Sequence, residues 1–317
     1  MAADERIVVT VGSVKRETDT VKSYELRPVD NELLPAFTPG AHIDLYLDNG
    51  LTRSYSLMNC SSERDRYLLA VEDCAARSRG GSRWVHENLR VGCRLTISPI
   101  RNHFPLEVSA SHSVLIAGGI GITPLLAMAK FLERHQRSWE LHYCAREPAR
   151  AAFLSEISRP YERGKLTMHF SDTEGMPNYD EMVRGKCPDT HFYCCGPAGM
   201  LDAFLRATTN HARRFVHIER FTGSAGTLDN EFDLILAESH RTVRVRKGET
   251  ILDRLLEEGI HVPNSCRQGV CGTCEVRLLA GRADHRDMIL TEAEKAANET
   301  IFVCCSGSID PSLTLKL

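Results

Sequence analysis

Four cysteines in the last fifth of the chain constrain what this sequence can fold into more than any other feature. Three of them, Cys266, Cys271 and Cys274, have the spacing C-x4-C-x2-C, and Cys304 follows after 29 intervening residues. Thiolates are metal ligands, and three that come from one short loop can converge with a fourth on one small object. The end of the chain is therefore predicted to fold around a metal site held by these four sulfurs.

The spacing favours an iron–sulfur cluster over a zinc ion. Plant-type 2Fe–2S ferredoxins use the C-x4-C-x2-C…C arrangement, whereas zinc loops usually carry paired C-x2-C knuckles. Gly269 and Gly272 can adopt backbone conformations closed to other residues and can turn amide N–H groups toward the sulfurs. The sequence therefore predicts a 2Fe–2S cluster, with a zinc-stabilised binding module as the non-redox alternative.

Six other cysteines are assigned to packing. Cys305 could replace its neighbour as the fourth ligand, but the spacing and the surrounding residues favour Cys304. Five scattered cysteines are predicted to be small buried apolar side chains: Cys60, Cys74, Cys93, Cys144 and Cys187.

Length and charge exclude several classes of protein. The 317 residues predict two or three domains, and the net charge of −3, without a basic block, argues against nucleic acid as a partner. No apolar run approaches the ~18 residues of a membrane span. The polar N-terminus carries no secretory signal, so a cytoplasmic location is expected.

Residues 5–100 indicate a β-rich domain. Short runs bounded by turn residues are predicted as strands, and they cover residues 7–11, 21–26, 42–47, 67–71 and 94–97. One helix is expected at 82–89, and the whole pattern is typical of an antiparallel barrel.

Two polar motifs in this part could hold a flat, phosphate-bearing cofactor. The run Arg-Ser-Tyr-Ser at 53–56 offers a guanidinium and hydroxyls for a phosphate or ribityl chain, and a ring to cover a heterocycle. Gly-Gly-Ser at 80–82 could bring backbone N–H groups to a phosphate at a helix N-terminus. Each motif alone is weak, because the first could equally be a plain exposed strand.

From about residue 110 the pattern changes to alternating strands and helices. The wholly apolar run 114–117 predicts a strand buried on both faces of a parallel sheet, and further strands are expected at 141–144, 166–170 and 191–194. The glycine turn at 118–124 follows the first strand and opens a helix at 123–135, which presents N–H groups to a phosphate. The turn at 193–197 follows a later strand, so both loops fall on one edge and together predict a nucleotide site. Alone, the glycine turn could be only a tight connection.

The last part of the chain is predicted to be a separate small domain. Residues 222–231 are small and polar and are interpreted as a linker. Strands are expected at 232–236 and 242–246. A helix is expected to start at Thr250 and to end near Gly259.

The order of these signals resembles the phthalate dioxygenase reductase family over essentially the whole chain. The motifs that carry the resemblance are Arg-x-Tyr-Ser, Gly-Gly-Ile-Gly-Ile-Thr-Pro, Cys-Gly-Pro at 195–197 and the four-cysteine pattern. The family implies an antiparallel flavin-binding β-barrel at 1–107, a ferredoxin-reductase-type parallel α/β NAD-binding domain at 108–224, and a β-grasp 2Fe–2S ferredoxin domain at 225–317. The doubled cysteine at 194–195 departs from the common pattern but leaves Cys-Gly-Pro intact.

The resemblance also assigns residues to each cofactor. FMN would be held by Arg53, Ser54, Tyr55, Ser56, Ala70, Val71, Gly80, Gly81, Ser82, Thr123 and Phe221. NADH would be held by Gly118, Gly119, Gly121, Pro124, Arg146, Asp172, Cys195, Gly196 and Pro197. The cluster ligands would be Cys266, Cys271, Cys274 and Cys304. Hydride transfer is expected near Cys195, and no general acid or base is assigned.

The expected activity is an electron relay. A flavin connects a two-electron hydride donor to a one-electron cluster, and the resemblance implies a separate Rieske-type oxygenase or O-demethylase acting on an aromatic compound as the partner. A soluble ferredoxin, a cytochrome P450 or a diiron hydroxylase are alternative acceptors. Arg146 could meet the 2′-phosphate of NADPH, whereas Asp172 would repel it, and Asp172 together with the family likeness favours NADH. The chain is expected to be a monomer.

Overall fold

The chain folds into two compact units, residues 1–221 and 222–317. The structure is a computed structural model, and the residues it describes are 6–30, 32–73, 80–221, 228, 230–264, 269, 272–287 and 289–317. In this described part no helix has the length and apolar character needed to cross a membrane.

The first unit begins with a six-stranded antiparallel sheet in the order β4-β3-β6-β1-β2-β5. Its strands are β1 (Ile7–Arg16), β2 (Val21–Pro28), β3 (His42–Tyr46), β4 (Thr52–Ser56), β5 (Tyr67–Glu72) and β6 (Arg94–Ile97). The edge strands β4 and β5 contact each other, so the sheet curls into a barrel. Helix α1 (Gly81–Asn88) contacts both of these strands. The predicted barrel is thus confirmed, and the motif at 53–56 lies on a strand.

The second half of this unit is a five-stranded parallel sheet in the order β11-β10-β7-β8-β9. Its strands are β7 (His112–Gly118), β8 (Ser138–Ala145), β9 (Gly164–Phe170), β10 (Thr190–Cys195) and β11 (Val216–Glu219). The helices are α2 (Ile122–Arg134), α3 (Leu154–Ile157), α4 (Ser171–Glu174), α5 (Tyr179–Val183) and α6 (Ala198–Ala207). The α/β prediction is confirmed, and β11 is a further strand that the sequence did not predict.

The two halves of the first unit share one apolar core. Met58, Ala70 and Phe104 come from the barrel half, and they pack in the same buried cluster as Leu115 of β7 and Leu125 of α2. The barrel has a second, internal core of its own. Because the shared core is close-packed, it holds the barrel and the parallel sheet in a fixed relation.

The second unit is a five-stranded mixed sheet in the order β13-β12-β18-β14-β16, with a short two-stranded ladder β15-β17. Its elements are β12 (Phe232–Leu236), β13 (Arg241–Val245), α7 (Ile251–Glu257), β14 (Glu275–Ala280), β15 (Ala283–Asp284), α8 (Glu292–Ala297), β16 (Thr300–Phe302), β17 (Gly307–Ser308) and β18 (Ser312–Leu315). A β12–β13 hairpin, a helix with a buried face and a last strand parallel to the first form the predicted β-grasp.

Two sequence expectations are wrong in part. Within the segment interpreted as a linker, Leu228 is buried in the core of the second unit, and its carbonyl accepts a hydrogen bond from the N–H of Gly248 at 2.8 Å. Among the scattered cysteines, Cys60 is buried, Cys93 and Cys144 are half-buried, and Cys187 is exposed rather than packed. Cys74 lies outside the described residues.

Candidate functional site

In an open α/β sheet a crevice lies where the strand order reverses, and in this sheet that point is between β7 and β10. From β7 the chain moves to β8 on one side, while β10 lies on the other side of β7. The helices that follow β7 and β10 therefore pack on opposite faces of the sheet, and the loops that lead to them meet at the carboxyl edge of the strands. In open α/β sheets this is where ligands bind.

Main-chain atoms form the floor of this crevice. A Cβ on Gly121 would lie 2.2 Å from the carbonyl oxygen of Cys195, and one on Gly196 would lie 3.1 Å from Cα of Gly118. Gly119 has a φ of 53° and open space where a side chain would be. Only glycine allows the two loops to approach this closely. The structure thus brings together the predicted nucleotide residues from both motifs.

Helix α2 starts directly after this floor. It has 13 residues, and in the described part of the chain no side chain caps its N-terminus and no acidic residue lies in its first turn. Thr123 donates from its hydroxyl to the carbonyl of Ile120 at 3.1 Å, and Pro124 occupies a first-turn position where a helix has no partner for an N–H. The positive end of the helix dipole is therefore available to a phosphate.

The two residues predicted to select the nucleotide lie on the rim. Arg146 follows β8, and Asp172 lies in α4 directly after β9; both are exposed. The N–H of Asp172 donates to the carbonyl of Arg146 at 3.1 Å, so the two loops are neighbours. Both residues therefore lie at the carboxyl edge, next to the ends of β8 and β9.

The barrel half offers a second cradle beside α1. A Cβ on Gly81 would lie 2.2 Å from Nε of Arg53, so the guanidinium of β4 rests on the first turn of the helix. Gly80 precedes that turn with a φ of 85°. An arginine over a helix N-terminus fits a phosphate, as the flavin assignment requires.

Not every predicted flavin residue points the same way. Tyr55 is half-buried and packs against the barrel core, whereas Ser54 donates to the carboxylate of Asp44 at 2.6 Å. Ser56 is buried at the end of β4. On β5, the side chain of Val71 lies in the barrel interior and that of Ala70 in the shared core. Val71 can therefore offer a ligand only main-chain atoms.

The crevice and the cradle formed by Arg53 and Gly81 adjoin within the first unit. Strand β5 contacts the turn Gly119–Gly121, which also precedes α2. Phe221, the last residue of this unit, packs against the same shared core as Ala70. A flavin on the barrel and a nucleotide in the crevice would therefore meet at this junction.

A half-buried acid that the sequence reasoning missed lies at the same edge. Glu219 ends β11, directly opposite Cys195 in the parallel ladder, and its Oε2 is 4.0 Å from the Cys195 sulfur. Burial raises the pKa of Glu219 to about 8 and raises the pKa of the Cys195 thiol well above its usual range. At neutral pH both groups are mainly protonated, so the thiol is not a nucleophile here.

The second unit carries the remaining site. Cys274 and Cys304 are both buried, and the N–H of Gly269 donates to the Cys304 sulfur at 3.2 Å. Gly269 and Gly272 have φ values of 69° and 76°, as predicted from the loop. Two buried thiols with an amide directed at one sulfur fit the demands of an iron–sulfur cluster. Cys266 and Cys271 lie outside the described residues.

Cys305 is also buried, but it packs in a different way. Its sulfur would lie 2.4 Å from a Cβ on Gly269, so the thiol fills the space that this glycine leaves. This placement agrees with its predicted role in packing.

Comparison with known proteins connects these features. Residues 234–307 match the family of 2Fe–2S iron–sulfur cluster binding domains. The chain is 44% identical to the phenoxybenzoate dioxygenase subunit beta of Ectopseudomonas oleovorans, over 98% of this chain and 97% of that protein. It is also 44% identical to the tetrachlorobenzoquinone reductase of Sphingobium chlorophenolicum, over 98% of each.

Two further similarities cover the whole architecture. The vanillate O-demethylase oxidoreductase of Pseudomonas sp. strain HR199 is 38% identical over 98% of this chain and 100% of that protein. The solved structure of phthalate dioxygenase reductase, a modular structure for electron transfer from pyridine nucleotides to 2Fe–2S, superposes with a TM-score of 0.79 at 33% identity, over 99% of this chain and 98% of that one. The chain therefore belongs to the phthalate dioxygenase reductase family, the reductase components of oxygenase systems.

Proposed function

We propose that this chain passes electrons from NADH, through FMN and a 2Fe–2S cluster, to a Rieske-type oxygenase that acts on an aromatic compound. The observation that carries the proposal is the junction in the first unit, where the backbone-lined crevice and the Arg53–Gly81 cradle adjoin across one shared core. The functional boundaries that we propose are 1–107 for the flavin, 108–224 for the nucleotide and 225–317 for the cluster.

Each part of the chain has a binding role in this proposal. Arg53 and the first turn of α1 would hold the flavin phosphate, and Tyr55 would cover the ring system. The N-terminus of α2 and Gly119 would hold the nucleotide pyrophosphate. Cys266, Cys271, Cys274 and Cys304 would hold the cluster. When bound, the flavin supplies the change from two-electron to one-electron transfer.

At the meeting point, the residues of this chain exclude water and hold protons. The buried Cys195 and the half-buried Glu219 form a wall in which the thiol and the carboxyl are both mainly neutral at pH 7. A neutral wall avoids placing a fixed negative charge beside the reacting nicotinamide, and it orients the ring by packing.

NADH is the proposed donor because Asp172 lies on the rim beside the Arg146 backbone. A carboxylate there would repel the 2′-phosphate of NADPH and can accept a hydrogen bond from a ribose hydroxyl. We expect a larger kcat/KM for NADH than for NADPH, with a smaller ratio in Asp172→Ala. A larger kcat/KM for NADPH in the unaltered protein would contradict the assignment.

A Rieske centre is a suitable acceptor on energetic grounds. Plant-type clusters have potentials of roughly −400 mV, and Rieske centres lie at roughly −150 to +300 mV, so the transfer runs downhill. A second candidate is direct reduction of a quinone, which the 44% identity to a tetrachlorobenzoquinone reductase favours. We further propose that the protein acts as a monomer, which light scattering in solution would test.

The experiment that tests the relay is an anaerobic titration with NADH, followed by visible absorbance and by electron paramagnetic resonance. Bleaching of a flavin band together with the broad cluster absorbance, complete at about three electrons per chain, supports the relay. The released flavin is then identified as FMN or FAD by chromatography. A folded preparation without coloured cofactors would refute the proposal and favour the zinc module.

Neighbouring cysteines provide a matched control. Cys304→Ser should lose the cluster absorbance and the paramagnetic signal of the reduced cluster, whereas Cys305→Ser should keep both. Flavin reduction by NADH should continue in both variants. If Cys305→Ser lost the cluster and Cys304→Ser kept it, the fourth ligand would be Cys305 and not Cys304.

The same Cys304→Ser variant separates the two acceptors. If a quinone takes electrons from the flavin, NADH-dependent quinone reduction should survive in this variant while reduction of an oxygenase component is lost. Equal loss of both activities would mean that all electrons leave through the cluster.

A further inference from the structure

Helix α2 lies between the two halves of the first unit. All residues from Ile122 to Ala129 are buried, on every side of the helix. One side packs on the parallel sheet, and the other packs with barrel residues such as Met58 and Phe104 in the shared core. The helix therefore connects the nucleotide crevice at its N-terminus to the flavin half along its length.

Lys130 follows this wholly buried stretch and is the first residue of α2 that is partly exposed. Its charged group nevertheless faces inward. Its Nζ donates to the carbonyl of Met58 at 3.0 Å and pairs with Oε1 of Glu156 at 2.8 Å. Only 15% of the side chain is exposed. One ammonium thus joins three segments: α2, the chain after β4, and α3.

Met58 is well placed to transmit this restraint. It lies two residues beyond β4, which carries the flavin motif, and it is almost completely buried. Its N–H donates to the carbonyl of Leu68 next to it on β5, and the N–H of Leu57 donates to Ala41. Because its N–H is bonded to the barrel and its carbonyl is bonded to Lys130, Met58 couples the chain after β4 directly to α2.

The helix carries the restraint to the nucleotide. Thr123 and Lys130 are seven residues apart, which places them on the same face of α2, two turns or about 10 Å apart. A hydrogen-bonded helix is stiff over this length. If Lys130 moved relative to Met58, the crevice would therefore move relative to β4.

We propose that Lys130 is a positioning residue that sets the distance between the nicotinamide and the flavin. The inference rests on the proposed function. In the step concerned, a hydride with its two electrons leaves the dihydronicotinamide, which is oxidised, and reaches the flavin, which is reduced. Lys130 exchanges no proton and no electron, and it acts only through the geometry of the Met58 carbonyl and α2. Misplacement by about 1 Å costs up to about a hundredfold in rate.

The test is Lys130→Met in the full-length protein, with Arg134→Met as the matched control. Arg134 is one turn further along the same helix and is exposed, so its removal takes the same charge from α2 without touching Met58. We expect flavin reduction at saturating NADH to slow by about tenfold or more in Lys130→Met, with a weaker nicotinamide–flavin charge-transfer absorbance and little change in the apparent Kd for NADH. Arg134→Met should behave as the unaltered protein.

A second readout does not depend on bound cofactors. The amide of Met58 should exchange with deuterium faster in Lys130→Met than in Arg134→Met, because residue 58 has lost one of the two main-chain hydrogen bonds that hold it in place. Lys130→Arg, which keeps a donor and a charge, should restore most of the rate and the slow exchange. A general loss of stability would not be repaired in this selective way.

Two results would overturn the inference. One is an unchanged reduction rate and charge-transfer absorbance in Lys130→Met. The other is a slower rate in Lys130→Met that Lys130→Arg does not improve. If Lys130→Met does not fold, Lys130→Ala replaces it, and an unaltered rate in that variant, which has no side-chain donor, overturns the inference equally. If NADH fails to reduce the flavin of the unaltered protein, the proposed function has failed instead.

Discussion

At the scale of single residues, Glu219 is the group whose behaviour follows most directly from its position. A carboxyl at the end of β11 would normally be solvated, but here it lies against Cys195 and its pKa is raised to about 8 because burial penalises the carboxylate. The folded chain therefore holds a proton on Glu219 that the unfolded chain releases at about pH 4.5.

This difference makes stability depend on pH. Between about pH 4.5 and pH 8 the folded state binds more protons at this site, so the contribution of Glu219 to the free energy of unfolding falls as pH rises. We expect Glu219→Gln to gain stability relative to the unaltered protein over this range, with a difference in Tm of a few degrees near its upper end. Glu32→Gln, which removes an exposed carboxyl of the same unit, should show no such trend. A Tm difference that stays constant with pH would contradict the raised pKa.

At the scale of elements, the close contact between the glycine turn and the end of β10 leaves no space for a side chain. Gly121 has a φ near −62°, which any residue can adopt, so the need for glycine comes only from the carbonyl of Cys195 in the place of a side chain. Gly199 in α6 has open space around it and offers the opposite case.

We predict that Gly121→Ala destabilises the first unit by about 1–3 kcal/mol, because the added methyl group must push two backbone segments apart. Gly199→Ala should stabilise it by up to about 1 kcal/mol, since alanine favours a helix. Chemical denaturation of both variants measures the difference. Equal stability of the two would mean that the loops separate without cost.

A second element-scale prediction compares two helix caps in the second unit. Thr250 caps α7 and Thr291 caps α8, and each hydroxyl accepts an N–H of its first turn. Helix α7 buries Ile251, Leu252 and Leu255, whereas α8 has no buried residue. Thr250→Ala should therefore lower the unfolding free energy of this unit by about 1 kcal/mol. Thr291→Ala should mainly loosen α8 locally, which limited proteolysis detects. A larger loss of unfolding free energy in Thr291→Ala than in Thr250→Ala would refute this account.

The same elements explain what the sequence could and could not predict. Buried parallel strands are continuous apolar runs, and cluster loops have fixed spacing, so residues 114–117 and the four cysteines were recognisable. Strands such as β16 and β17 have three and two residues and exist only through their partners. Leu228 was missed because it stands alone among small polar residues. Glu219 was missed because its burial depends on the pairing of β11 with β10, which no local pattern encodes.

At the scale of the whole molecule, the chain has two units but three sites. The flavin and nucleotide halves share a core, whereas the cluster unit has a hydrophobic core of its own. A close-packed core resists relative motion of the parts that it joins. Under the proposed function, hydride transfer would take place within the first unit, and single electrons would leave through the second.

We therefore expect residues 1–221 to fold and function alone. The fragment should bind flavin and reduce ferricyanide with NADH at a rate close to that of the full chain, but it should not reduce cytochrome c efficiently, because the cluster is missing. Thermal unfolding and the two dye assays test this. Efficient cytochrome c reduction by the fragment would mean that the cluster is not needed for one-electron exit.

The glycine floor of the crevice separates two properties of the site, the geometry of the reaction and the choice of nucleotide. Because that floor consists of main-chain atoms of Gly118, Gly121 and Gly196, its shape tolerates no side chain and should stay constant through substitution elsewhere. Arg146 and Asp172 on the exposed rim carry no such restriction. Variants from a combinatorial library at these two rim positions could thus differ in the nucleotide that they prefer and keep the same reaction geometry.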